Sequence, residues 1–198
     1  MHIFNGIHSA SRILNQFWHM KRTLLFALFA CSLIPVDAFS QTVIINGKST
    51  NRKLTWEDFK GTPDTSSTYW AYTSYLIRYR YDDIKIYSDA VTIGIFEVTV
   101  ELDPGRTWAK MDKINDELLM HEQGHFNIGI LCGKEILATL KQTRFEISNY
   151  REQMQSIVQE ILKKYMEMGH LYDEETNHFS NKKEQERWNT LLAEKLSK

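Results

Sequence analysis

The pattern His-Glu-x-x-His occurs once in the chain, as His121, Glu122 and His125. Side chains four residues apart lie on the same face of a helix, so both imidazoles can bind one metal ion, with Glu122 close to it. Zinc lowers the pKa of a bound water to about 7, and a nearby carboxylate can take the proton of that water as it attacks a carbonyl. The pattern therefore predicts Zn²⁺ ligands at His121 and His125 and a general base at Glu122.

Chance and solvent exposure are the two competing explanations of this pattern. With 7 His and 15 Glu in 198 residues, roughly 0.02 such matches are expected by coincidence, so a functional origin is favoured. The alternative is a solvated pair of helix histidines beside an exposed Glu122. Gly124, inside the motif, costs a helix about 1 kcal/mol relative to Ala, and it could allow a close approach of substrate or of the sheet.

A catalytic zinc usually has three protein ligands and one open position, so a third donor is required. His178 is predicted to be that donor. It lies 53 residues beyond His125, so a long helix could run out and return the chain to the metal. Asp173 would then orient a ligand imidazole through its other ring nitrogen. Asp173 and Glu146 remain the alternative third ligands.

The segment that must carry the motif has a helical pattern, and a strand-rich half precedes it. Residues 69–81 and 91–102 are rich in aromatic and β-branched side chains, which favours strands, and 84–87 could be a short strand between them. Thr55 and Asp58 have the spacing of a capping box at the start of one short helical turn. The first half therefore predicts a small antiparallel sheet of three or four strands.

Helical periodicity dominates after residue 109. The apolar pattern predicts a helix from 110 to about 140 that carries the motif, and a second helix from about 144 to 168 that stops at Gly169. Residues 170–180 are expected to form a polar connector. A last helix is predicted from Asn181, with Glu184 three residues further on. The fold class is therefore α+β, a sheet followed by a helical half with the motif on its first long helix.

Composition places the chain among globular proteins, with 42% hydrophobic and 25% charged residues. The formal net charge of -1 and a pI near 6.7 provide no basic surface for nucleic acid, which we therefore exclude as a partner. Only 9 Gly and 3 Pro are present, which argues against a long flexible linker. No pattern in the sequence indicates an oligomeric state.

Residues 1–40 resemble an N-terminal extension followed by a secretory signal peptide. Lys21 and Arg22 precede an apolar run over 23–34, and residues 38–40 (AFS) form a cleavage site. The run is too short for a transmembrane helix, so none is expected after cleavage. Translation could start at Met20, and a lipoprotein attached at Cys31 is the less favoured route. We expect an exported, periplasmic or secreted domain over 41–198, whose single cysteine, Cys132, excludes an intramolecular disulfide.

Three segments together resemble a bacterial family of predicted secreted zinc-dependent proteases, catalogued as domain of unknown function 922. The resemblance spans about residues 54–188, and the chain departs from it by having Phe179 where the family tends to have Gly. It implies a zincin-like α+β fold, zinc metallopeptidase chemistry and a peptide or protein substrate. The segments are 54–63 (LTWEDFKGTP), 121–128 (HEQGHFNI) and 172–178 (YDEETNH).

Two other functions are compatible with the same residues. One is a non-catalytic envelope module in which zinc only braces the helices. The other is a zinc amidohydrolase that acts on cell-wall peptides. Replacement of Glu122 distinguishes a catalytic zinc site from a structural one, because hydrolysis depends on this carboxylate whereas metal binding does not.

Overall fold

The computed structural model describes residues 38–198, which form an α+β fold of six strands followed by three long helices. The predicted signal run, Met20 and Cys31 lie outside the described residues. The cleavage point expected after Ser40 falls inside the first strand. The elements are β1 (Ala38–Ile45), β2 (Lys48–Ser49), a 3-10 turn (Trp56–Asp58), β3 (Ala71–Tyr72), β4 (Tyr75–Ile86), β5 (Val91–Leu102), β6 (Trp108–Ala109), α1 (Asp116–Gln142), α2 (Tyr150–Thr176) and α3 (Lys182–Ser197).

The main sheet has the strand order β2-β1-β5-β4. The predicted strand over 91–102 is confirmed as β5, and it pairs antiparallel with β4 as expected. β1, however, runs parallel to β5, so the sheet is mixed rather than antiparallel. A parallel pair needs a long crossover connection, and here the chain between β1 and β5 includes β2, β3 and β4.

The predicted strand over 69–81 is interrupted at Thr73 and Ser74. The Ser74 amide donates to the Thr107 hydroxyl oxygen at 3.1 Å, and that hydroxyl donates to the Ser74 carbonyl oxygen at 3.0 Å. These side-chain bonds replace strand pairing, so β3 instead forms a separate two-stranded sheet with β6. Residues 84–86 belong to β4 and not to a separate strand. The interruption brings Thr73 next to α1, where it meets the motif.

α1 begins at Asp116 and not at residue 110 as predicted, because its N-cap is Asn115, whose side chain accepts from the Leu118 amide at 2.8 Å. The helix packs one buried face against β1 and β5. The motif begins in the second turn of the helix. The predicted short helical turn is present as the 3-10 turn Trp56–Asp58, with the expected capping box of Thr55 and Asp58. It is tied to α1, since the Leu54 amide donates to the Gln123 side-chain oxygen at 2.7 Å.

α2 differs from its prediction at both ends. It begins at Tyr150 and continues through Gly169 to Thr176, so most of the expected polar connector is helical. Tyr172 and Thr176 are fully buried there. Burial of a large side chain stabilises by about 1.5–3 kcal/mol, which outweighs the cost of about 1 kcal/mol for one helical glycine. The helix ends instead at Asn177, in the left-handed conformation.

α3 begins after Asn181, as predicted, and the Asn181 side chain accepts from the Glu184 amide at 3.4 Å. Trp188 and Leu192 are buried against the other two helices. Between residues 38 and 198, no helix has both the length and the apolar character needed to cross a membrane.

Candidate metal centre

The two motif histidines point their Nε2 atoms at one carboxylate from α2. His121 Nε2 lies 3.1 Å and His125 Nε2 2.9 Å from Asp173 Oδ1, and the two nitrogens are 3.2 Å apart. His121 is only 2% exposed. The solvated-histidine alternative is therefore wrong for this chain.

The size of this triangle suits a metal ion. Donors bound tetrahedrally to zinc at about 2.0 Å are about 3.3 Å from one another, close to the three separations above. Two imidazoles and a carboxylate are also donors that zinc accepts. The residues present therefore fit a metal such as zinc without rearrangement of the helices.

His178 reaches the same place from the turn after α2. Its Nδ1 lies 3.3 Å from Asp173 Oδ1, and its side chain is 44% exposed. His121, Asp173 and His178 form a group whose ligand atoms lie within 4.8 Å of one another and could hold a metal ion. Glu146 is exposed, lies four residues before the start of α2 and is not among the residues around the cavity.

The charges at the site are strongly coupled. Burial disfavours the charged form of Asp173, but its interactions with the His121 and His125 imidazoles outweigh this effect and hold the pKa of Asp173 well below its usual range. Burial likewise lowers the pKa of His125, yet the bond to Asp173 and the negative charge of Glu122 raise it above its ordinary value. Because a metal binds the neutral imidazole, a metal at this site competes with the proton of His125.

Glu122 is 3% exposed and lines the cavity beside the histidines. Its Oε2 accepts a hydrogen bond from the Thr73 hydroxyl at 2.6 Å. This bond fixes the direction of the carboxylate. The hydrogen bond is possible because strand pairing is interrupted at Thr73, between β3 and β4. Sequence periodicity does not predict this interruption.

The outer side of the His121 ring is held by α2 and α3. Its Nδ1 lies 3.1 Å from Gln185 Oε1 and 3.5 Å from Thr176 Oγ1. Tyr172 stacks on the ring, with centroids 4.6 Å apart and an angle of 14° between the planes. Its hydroxyl donates to the His121 carbonyl oxygen at 3.0 Å.

Gly124 permits the contact with Tyr172. A Cβ atom at Gly124 would lie 2.2 Å from the Tyr172 hydroxyl oxygen. The close approach expected at this glycine is therefore to α2, not to substrate or sheet. The Tyr172 phenol therefore packs directly against the α1 backbone at the motif.

A left-handed turn presents His178. Asn177, His178 and Phe179 have φ values of 46°, 48° and 73°, a conformation that non-glycine residues seldom adopt. The Phe179 ring is 5.5 Å from that of Trp70, a contact that glycine would lack.

The cavity in front of these groups measures about 590 Å³. One wall is the segment before β4, with Tyr69, Trp70 and Tyr72 each more than two-fifths exposed. His170 and Phe179 also line the cavity, and the Phe179 ring lies against Trp70. The site therefore has an open, largely aromatic approach on one side and a buried, hydrogen-bonded base on the other.

The structure brings together all four residues predicted for the site and adds several that the sequence did not indicate. The sequence indicates Asp173 only as an alternative ligand or supporting carboxylate, because its pattern predicts a polar connector there and not the last turn of α2. A helix extended to 176 would have put Tyr172, Asp173 and Thr176 beside one another on the sequence alone. Thr73 and Gln185 had no sequence signal.

The fold and the site together define a class of protein: an α+β protein with a histidine–aspartate cluster that could hold a metal ion. The chain belongs to the bacterial family described as "Bacterial protein of unknown function (DUF922)", whose model matches residues 42–179. Comparisons with curated proteins and with solved structures found no match.

Proposed function

We propose that this protein is an exported zinc-dependent peptidase that hydrolyses peptide bonds. The observation that carries the proposal is the triangle of His121 Nε2, His125 Nε2 and Asp173 Oδ1 beside the buried Glu122 carboxylate, at the base of an open cavity. Export rests on the predicted signal peptide.

The roles follow from the positions of the side chains. Zinc bound by His121, His125 and Asp173 would supply an activated water and polarise the substrate carbonyl. Glu122 takes the proton as the general base and passes it to the leaving nitrogen. Thr73 keeps the carboxylate aimed through its 2.6 Å hydrogen bond. His178, at the exposed rim, either adds a donor or faces the reacting carbonyl.

An extended peptide is the substrate that the cavity suits best. β3 pairs with β6 and lines the cavity next to Thr73, so a peptide can add alongside it by main-chain hydrogen bonds. The exposed rings of Tyr69, Trp70 and Tyr72 offer surfaces for apolar side chains.

The test is Glu122→Gln, measured with zinc on a broad peptide library. We expect hydrolysis to be lost while zinc content and the circular dichroism spectrum stay unchanged, because the amide cannot accept the proton. Glu117→Gln is the matched control, an exposed glutamate on the same helix that pairs with Lys182. Full activity of Glu122→Gln, or no hydrolysis by the zinc-loaded unaltered protein, would refute the proposal.

A structural zinc site is the second candidate, because four donors reach the centre once His178 is included, as in closed zinc sites. In that case chelation unfolds the protein and no peptide is cleaved. An amidohydrolase acting on cell-wall peptides would use the same groups. Cell-wall peptides included in the library distinguish it, since they alone would then be cleaved.

A further inference from the structure

We propose that Gln185 is a positioning residue for the metal centre: it holds His121 in the tautomer that carries its proton on Nδ1 and leaves Nε2 free to bind the metal. The inference rests on the proposed zinc function. It also makes α3, which lies beyond the matched family region of 42–179, part of the working site.

The hydrogen bonds around Tyr172 determine which way the Gln185 amide faces. The Tyr172 hydroxyl has one proton, and it donates that proton to the His121 carbonyl oxygen at 3.0 Å. Toward Gln185 the hydroxyl can therefore only accept. The Gln185 Nε2 donates to it at 2.7 Å and to Asn189 Oδ1 at 3.0 Å. Both amide protons are used, and Oε1 is left to face His121.

The tautomer of His121 follows from this arrangement. Gln185 Oε1 only accepts and lies 3.1 Å from His121 Nδ1, so Nδ1 must carry the proton. Thr176 agrees with this assignment. Its hydroxyl already donates to the Tyr172 carbonyl oxygen at 2.6 Å, so toward Nδ1, 3.5 Å away, it too can only accept. The lone pair of a neutral His121 is then on Nε2, the atom that faces Asp173.

Gln185 is well placed to impose this orientation because it is 3% exposed and lies on an anchored helix. Trp188, one turn further along α3, is 3% exposed, and its indole nitrogen donates to Glu175 Oε2 at 2.6 Å. Buried partners that orient a ligand imidazole typically change metal affinity by about 10–100-fold when they are replaced. An apolar side chain at 185 would leave Nδ1–H buried without an acceptor.

The experiment measures zinc affinity by competition with a chromophoric chelator for the full chain and three variants. Gln185→Met keeps the length of the side chain but lacks a strong acceptor, and we expect affinity to fall about 10–100-fold. Gln185→Glu keeps the acceptor and should stay within about threefold of the unaltered protein. Leu192→Ala is the control for α3 packing, because it removes a buried side chain without touching His121.

The second readout is the Nδ1–H signal of His121 in proton–nitrogen NMR of the zinc-loaded protein. We expect it to be protected from solvent exchange in the unaltered protein and in Gln185→Glu, and to exchange rapidly in Gln185→Met. If Gln185→Met does not fold, Gln185→Asn replaces it, since its shorter side chain withdraws the acceptor.

Three results would overturn the inference while leaving the proposed function intact. The first is unchanged zinc affinity in a folded Gln185→Met variant. The second is a His121 in the unaltered protein that binds zinc through Nδ1. The third is a Leu192→Ala variant that weakens zinc binding as much as Gln185→Met does, since the effect would then be one of packing. A protein that binds no zinc at all would refute the proposed function itself.

Discussion

Asp173 and His178 both reach the metal centre, and their replacement by Ala separates their roles. Asp173 Oδ1 lies within 3.1 Å of both motif nitrogens and is part of the triangle. His178 Nδ1 lies 3.3 Å from the same carboxylate oxygen, but its side chain is 44% exposed and its ring packs 4.7 Å from that of Tyr69. We therefore expect Asp173→Ala to weaken zinc binding far more than His178→Ala.

The size of the effect follows from the number of donors. Four-donor structural zinc sites in peptides bind with about 10–16 kcal/mol, which is about 3 kcal/mol for each donor. A loss of about 3 kcal/mol corresponds to about a 100-fold weaker affinity for Asp173→Ala. An exposed rim donor should contribute about 1 kcal/mol or less, so His178→Ala is expected to change affinity by at most about fivefold.

Competition with a chromophoric chelator at constant pH measures both variants. His170→Ala is the matched control, because it removes another imidazole that lines the same cavity on α2, and it should leave zinc affinity unchanged. If His178→Ala loses about 100-fold and Asp173→Ala keeps the original affinity, His178 is the third ligand that the sequence first indicated. The argument from the triangle would then be wrong.

Two further predictions concern stability. Gly124→Ala should lower the free energy of unfolding by about 1–3 kcal/mol, because the new methyl group meets the Tyr172 phenol. Gly169→Ala has open space around the new methyl group and should raise the free energy of unfolding by about 1 kcal/mol. Urea denaturation of both variants tests the two values. Equal effects of the two substitutions would contradict the close packing. Burial opposes ionisation of Asp58, but hydrogen bonds from Arg52 and Thr55 hold its pKa below the ordinary value. The contribution of Asp58 to the free energy of unfolding is therefore complete above about pH 4 and is lost as the pH falls through the lower folded pKa. Asp58→Asn should lower the free energy of unfolding by about 1–3 kcal/mol at pH 7 and progressively less below pH 4. A stability difference between the unaltered protein and Asp58→Asn that persists unchanged at pH 2 would contradict this prediction.

Local sequence patterns predicted most of the helical half, the central strand β5 and the motif itself. β5 is bounded by turn residues and dense in β-branched side chains, and α3 has an N-cap and a buried Trp188, so both were predictable from neighbouring residues. These are signals that neighbouring residues carry by themselves.

The parts that local patterns missed depend on tertiary contacts. β1 is a strand because β5 pairs with it from more than fifty residues away. α2 continues past Gly169 because Tyr172 fits between α1 and α3. The sequence therefore indicated Asp173 only as an alternative ligand, since this residue belongs to the unpredicted extension of α2.

The groups of the metal centre come from parts of the chain that are far apart in sequence. Thr73 and Glu122 are 49 residues apart, His125 and Asp173 are 48 apart, and His121 and Gln185 are 64 apart. An unfolded chain therefore offers a metal only the local pair of histidines. Because zinc would bind the completed fold far more tightly than this pair, its binding would stabilise the native state selectively and would report that α2 has docked against α1.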